Sequence, residues 1–188
     1  QQHSRYHKYD VYEHIVRAVE AAPRESLVLR RTMFFHDIAK PLVFAQDENG
    51  EGHFKGHAQL GAEMTEKIME RLRYDKKTIK LTCALIDRHS DTISTEKQIR
   101  RLAAKLGNDA FFLLIKKADN LAKNEFTFAE NASFDQYADR LRELIAEGSC
   151  FSRRQLAVNG RDLMQIGIYG QQIGKILNTL LGLVIDGE

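Results

Sequence analysis

Apolar residues recur at spacings of three and four along most of the chain, a periodicity that commits it to helices. Val11, Ile15, Ala18, Val19 and Ala22 form one stripe that Pro23 stops, which predicts a first helix over roughly residues 10–22. Residues 26–38 are apolar nearly all round, as a buried central helix requires, and Pro41 follows its end. After the turn-rich segment 46–52, His57, Leu60, Gly61, Met64, Ile68 and Leu72 line one face of another helix. Further stripes follow: Ile79, Thr82, Cys83, Ile86 and His89; Ile99, Leu102, Ala103 and Leu106; Phe111, Ile115, Ala118, Asp119 and Ala122. A helix over about 134–147, a short one capped by Asp162, and a last stripe from Ile173 to Val184 complete the reading. No period-two strand stands out, and two prolines in 188 residues leave room for long helices, so the expected fold class is all-α.

The change of composition after Gly148 suggests an internal boundary, with one domain over 1–148 and a C-terminal helical segment over 149–188. A net charge of +2 names no partner. The two cysteines, Cys83 and Cys150, have no paired spacing, which fits a reducing, cytoplasmic setting. No signal peptide or membrane-spanning run is visible, so no membrane partner is expected. A start without methionine and an end just after an apolar stripe suggest a piece of something longer.

Several titratable residues sit on the wrong faces. His14 falls inside the first apolar stripe, Asp119 inside that of Ile115 and Ala118, His36 and Asp37 end the most apolar helix, His57 starts one stripe and His89 finishes another. A buried carboxylate or imidazolium costs several kcal/mol without a partner, and a shared metal ion would supply one. Imidazole and carboxylate without thiolate suit Mn²⁺, Fe²⁺, Ni²⁺ or Zn²⁺, with Mg²⁺ possible, as one ion or two. The cysteine spacing excludes a zinc finger. Residues 47–52 imitate the first half of an EF-hand loop, but its twelfth position is Ala58, where a bidentate glutamate is required.

His14, then His36-Asp37, then Asp119 resembles the H…HD…D signature of the HD superfamily of metal-dependent phosphohydrolases, and His57 with His89 resembles the extra pair that holds a second ion in some members. A narrower resemblance runs through nearly the whole chain. The stretch His36-Asp37-Ile38-Ala39-Lys40-Pro41, the segments 52–57, 61–63 and 118–120, and the tail segments 156–163 and 170–177 are similar to the HD-containing portion of bacterial tRNA nucleotidyltransferases, the CCA-adding and poly(A) polymerase-like family. The Gly-Ser followed by Asp-x-Asp that this family uses for polymerisation is not found, so CCA addition is not expected of this piece.

The resemblance implies that His14, His36, Asp37 and Asp119 ligate one divalent ion, with Asp37 bridging to a second held by His57 and His89. It implies hydrolysis of a phosphomonoester or a 2′,3′-cyclic phosphodiester of a nucleotide or RNA, with Asp37 and Lys40 as catalytic residues and Lys40 facing the phosphate. His53, in the loop, ranks below His57 as a ligand. A reading of another class is a tRNA-binding body whose pocket is structural or unused. For it, Lys97, Arg100, Arg101 and Lys105 lie along one helix face, and Lys116-Lys117, Arg153-Arg154, Arg161 and Lys175 add cations to a phosphate track. Gly170 and Gly174 are expected to allow close helix packing. A free-standing nucleotidase is a third reading.

Overall fold

The computed structural model describes residues 9–107, 111–123 and 127–187. It is all-α, as expected, and its helices begin where the sequence offers caps. Helix α1 (Val11–Ala21) starts at Asp10, whose side chain accepts the amide of Glu13. Helix α2 (Leu27–Phe35) starts at Ser26, which caps the amide of Leu29. It ends three residues before the expected limit of 38, the chain turning through 36–39 into a short α3 (Lys40–Val43) that carries Pro41 in its first turn. The segment expected to be loop forms a two-stranded antiparallel ribbon, β1 (Ala45–Gln46) with β2 (Gly52–His53). Strands this short carry no alternation that a sequence pattern could reveal.

Helix α4 (His57–Arg71) follows Gly56, whose φ of 81° is the left-handed conformation glycine adopts readily. Helix α5 (Lys76–Arg88) is capped by Asp75, and α6 (Glu96–Leu106) by a reciprocal box between Thr95 and Gln98. Helices α7 (Phe111–Leu121) and α8 (Ala129–Ala146) follow, α8 starting earlier than the expected 134. The chain ends with α9 (Gly160–Gln165) and α10 (Gln171–Asp186). The cap of α9 is Asn159, with Asp162 at the third position returning the bond to the Asn159 amide, so Asp162 is half of a capping box rather than the cap itself.

Two compact units result. The first comprises the chain up to Thr92 together with Phe111–Gln136. The second runs from Ile93 through α6 and resumes at Tyr137. The division therefore differs from a single cut at 148, because α6 packs with α10 and belongs with the C-terminal helices. In the first unit α2 is central and packs against α1, α5 and α7. Leu29, Met33, Leu85, Ile86, Phe112 and Ile115 are buried there. Phe35, Met69, Ile79 and Ile86 form a cluster joining α2, α4 and α5. A Cβ added at Gly61 of α4 would meet the His36 carbonyl oxygen at 3.5 Å and Ile86 Cγ2 at 3.6 Å, so glycine lets α4 approach the end of α2. Nothing among the described residues lies within 4 Å of such an atom at Gly170 or Gly174, so neither glycine is required by helix packing. No helix of the described residues is long and apolar enough to cross a membrane.

Candidate metal centre

The six polar residues picked out on apolar stripes converge. His14 comes from α1, His36 and Asp37 from the turn after α2, His57 from the start of α4, His89 from the end of α5, and Asp119 from α7. They fall into two groups of potential ligands, His14 with His36 and Asp119, and Asp37 with His57 and His89. Within each group the ligand atoms all lie within 4.8 Å of one another. His14, His36, Asp37, His89 and Asp119 are buried, and His57 is nearly so.

The backbone fixes how these rings face. His36 Nδ1 donates to the Met33 carbonyl, His57 Nδ1 to Phe54 and His89 Nδ1 to Ile86, each at 2.7 Å, and His14 Nδ1 donates to Ala122 at 3.1 Å. A carbonyl only accepts, so in every ring the hydrogen belongs on Nδ1 when the ring is neutral, and Nε2 presents its lone pair inward. The inward atoms are close: His14 Nε2 is 3.1 Å from His36 Nε2, and His57 Nε2 is 3.1 Å from His89 Nε2.

Asp37 stands between the groups. Its Oδ2 lies 3.2 Å from both His14 Nε2 and His36 Nε2, and its Oδ1 lies 3.4 Å from His57 Nε2 and 3.6 Å from His89 Nε2. Asp119 Oδ1 lies 3.1 Å from His14 Nε2. Neither oxygen of Asp37 completes a well-oriented hydrogen bond, although both are buried. Four inward imidazole nitrogens and a buried carboxylate between them fit a divalent cation, and the nitrogen and oxygen donors place it among the borderline and harder ions.

The electrostatics agree. Burial opposes charge on His36, yet Asp37 and Asp119 outweigh it and hold the ring up to about 9. His14 is raised in the same way, against burial, by Asp119 and Asp37. Burial would raise both carboxyls, but His36 and His14 hold Asp37 far below the usual carboxylate range, and Lys123 with His14 does so for Asp119. His57 is pushed down to about 4, by burial first and then by His89 against the pull of Asp37. The group is thus a pair of anions that gather positive charge.

Asp37, His57, His89 and Asp119 line a pocket of about 390 Å³ walled by the ribbon and α7. Lys40 lines it, buried rather than solvated at a helix end, with Nζ 2.7 Å from Asp37 Oδ2 and 5.1 Å from the centre of the Phe54 ring. His53 lies on the ribbon with Nε2 3.0 Å from Asp47 Oδ2, outside both ligand groups. Two further pocket lysines, Lys116 and Lys123, were not singled out beside Asp119 by the sequence pattern, although they stand three before it and four after. Burial, the largest influence, pushes the Lys116 ammonium down, partly offset by Asp119.

The cations expected to form a phosphate track are less free than their spacing implies. In the second unit Lys97 and Arg101 both bind Asp186, at 2.9 and 2.7 Å, and Arg100 binds Glu96 at 2.8 Å. Lys105, Arg161 and Lys175 are exposed, with no carboxylate in ion-pair range among the described residues. In the first unit Lys116 faces the pocket, while Lys117 pairs with Asp135 at 2.7 Å.

Residues 5–124 match the family described as HD domain, and the chain belongs to that family. It is 29% identical over 186 residues to the A-adding tRNA nucleotidyltransferase of Deinococcus radiodurans, an alignment covering 93% of this chain and 42% of that protein. It is 28% identical over 193 residues to the CC-adding tRNA nucleotidyltransferase of Thermus thermophilus, covering 97% of this chain and 42% of the relative. The chain therefore spans less than half the length of either relative. The kinship with tRNA nucleotidyltransferases read from the sequence is borne out. No solved structure matches the chain.

Proposed function

We propose that the chain is a metal-dependent phosphohydrolase acting on a nucleotide or RNA phosphate ester, either a phosphomonoester or a 2′,3′-cyclic phosphodiester. The observation that carries this reading is the position of Asp37, whose two oxygens face separate sets of inward histidine nitrogens. His14, His36 and Asp119 would hold one divalent ion and His57 and His89 another, with Asp37 available to either. A divalent ion in such a site supplies a water-derived nucleophile near neutral pH and neutralises charge growing on phosphate oxygens. The protein does the rest. Backbone carbonyls fix each imidazole, Lys40 orients Asp37 through its ion pair and presents positive charge to the pocket, and burial keeps bulk water from screening these charges.

Elemental analysis after stripping and reloading with Mn²⁺, Ni²⁺, Zn²⁺ or Mg²⁺, beside hydrolysis of nucleoside 3′-monophosphates and 2′,3′-cyclic phosphates, tests the proposal. The wild type takes up one or two ions and turns over at least one ester, and Asp37→Ala loses both properties. A folded Asp37→Ala variant with full turnover sinks it.

A second reading is favoured by the reach of the similarity, which extends through the second unit to cover 93% of the chain. Here that unit binds the backbone of tRNA. Lys105, Arg161 and Lys175 are the cations to test, since Lys97 and Arg101 are already neutralised by Asp186. Binding to tRNA that weakens steeply with salt, and further in a Lys105/Arg161/Lys175 triple alanine variant, supports it. Binding indifferent to both counts against it.

A further inference from the structure

Helix α7 and the residues just beyond it turn Lys116, Asp119 and Lys123 onto one face, at spacings of three and four, and all of them line the pocket. The ammonium groups around that pocket are not equivalent. Lys40 Nζ lies 2.7 Å from Asp37 Oδ2 and Lys123 Nζ 2.6 Å from Asp119 Oδ2, so each is matched to a carboxylate. Lys116 has no carboxylate within 4.0 Å among the described residues. Its ammonium donates to the His89 carbonyl at 3.1 Å, which uses one of three hydrogens. A half-buried cation whose only partner among the described residues is neutral leaves positive charge for an anion to meet.

The surrounding charges say how much anion. The lysines Lys40, Lys116 and Lys123 face the carboxylates Asp37, Asp119 and Glu51 in the same pocket, and behind them Asp37 and Asp119 also hold positive charge on His14 and His36. Divalent ions in place of those protons leave the pocket at least as positive, which favours the more highly charged substrate. A phosphomonoester carries close to two negative charges near neutral pH, whereas a cyclic phosphodiester carries one.

We propose that Lys116, with Lys123 beside it, receives the non-bridging oxygens of a terminal phosphate, and that the pocket is built for phosphomonoesters in preference to cyclic phosphodiesters. This rests on the metal-dependent reading above and narrows its substrate.

The test is calorimetric binding of inorganic phosphate to Mn²⁺-loaded and metal-free protein, for the wild type, Lys116→Met, Lys116→Gln, Lys116→Arg and Lys117→Gln. Mn²⁺ content and circular dichroism are measured on the same samples. The expected result is at least about tenfold weaker phosphate binding in Lys116→Met and Lys116→Gln with Mn²⁺ content unchanged, partial recovery in Lys116→Arg, and no change in Lys117→Gln. A nucleoside 3′-monophosphate binds more tightly than its 2′,3′-cyclic counterpart, and the gap narrows in Lys116→Met. Unchanged phosphate affinity in a folded Lys116 variant overturns the proposal, as does equal or tighter binding of the cyclic ester by the wild type. If the wild type takes up no Mn²⁺, the metal-dependent reading falls, while Lys116-dependent phosphate binding by the metal-free protein still upholds the role of Lys116. Absence of phosphate binding in both forms overturns that role.

Discussion

His57 Nε2 and His89 Nε2 face each other at 3.1 Å while the Nδ1 of each ring is held by a main-chain carbonyl. With His57 pushed down to about 4, its ring is neutral near pH 7, and its lone pair points at the neighbouring nitrogen. Only a proton on His89 or a cation between the rings makes that contact attractive. The frame therefore keeps both nitrogen atoms within reach of one electrophile, and Asp37 Oδ1 completes the group.

Adding a divalent ion to stripped protein should raise the melting temperature. Binding to the folded state alone contributes about 2.7 kcal/mol at a hundredfold excess over Kd. The shift should vanish in Asp37→Ala and shrink in His57→Gln. Thermal melts with and without Mn²⁺ and chelator measure it, and an equal shift in wild type and Asp37→Ala would place the ion elsewhere.

Gly61 links packing to the site, because α4 carries His57 and meets the end of α2 at this glycine. Gly61→Ala places its Cβ at ordinary contact distance from the His36 carbonyl and Ile86, and should leave the fold intact. Gly61→Leu should cost ~1–3 kcal/mol by overpacking and should weaken ion uptake by moving His57 away from His89. Denaturant unfolding and metal titration of the two variants check this. Equal behaviour of both would show that α4 is not held at this point.

Asp186 is drawn down to about 2, first by its hydrogen bonds from Arg101 and then by those from Lys97. A depressed carboxyl stabilises the fold fully above its unfolded value, near 3.8, and that stability is lost as pH falls toward 2. Asp186→Asn should therefore be less stable than wild type at pH 6, with the difference closing between about pH 4 and 2. Parallel denaturant melts across that range test the sign, and a difference that grows in acid would contradict it.

Cys83 is pushed up to about 11, by burial first and then by Glu66 and Glu70, so its thiolate is scarce near neutrality. Alkylation by iodoacetamide, followed at Cys83 by peptide mass mapping, should be slow at pH 7.5 and accelerate steadily toward pH 11. Rapid modification at pH 7.5 would mean that α5 opens far more readily than its packing implies.

Much of the site was legible in the sequence because each ligand interrupts an apolar stripe on its own helix. His14 betrays itself between Val11 and Ala18, and Asp119 between Ile115 and Ala122, without any knowledge of which helices meet. Pairing across the chain was not legible in the same way. Lys97 and Arg101 read as an open cationic face because Asp186, which neutralises both, lies more than eighty residues further on. Lys116 and Lys117 read alike, yet the turn of α7 sends one into the pocket and the other to Asp135. The grouping of α6 with α10 was hidden for the same reason, since local periodicity marks a buried face and is silent on what covers it.

The ribbon carries a further implication. Gly52, His53 and Phe54 give the pocket one of its walls, while the helices α1, α2, α4, α5 and α7 or their adjoining turns supply every prospective ligand. The two parts are joined at one point, because the Phe54 carbonyl beside the ribbon holds the His57 ring. A hairpin altered at its tip, between Asp47 and Glu51, reshapes the doorway and leaves that anchor untouched, whereas a change that shifts Phe54 reaches the inner histidines through a single main-chain bond.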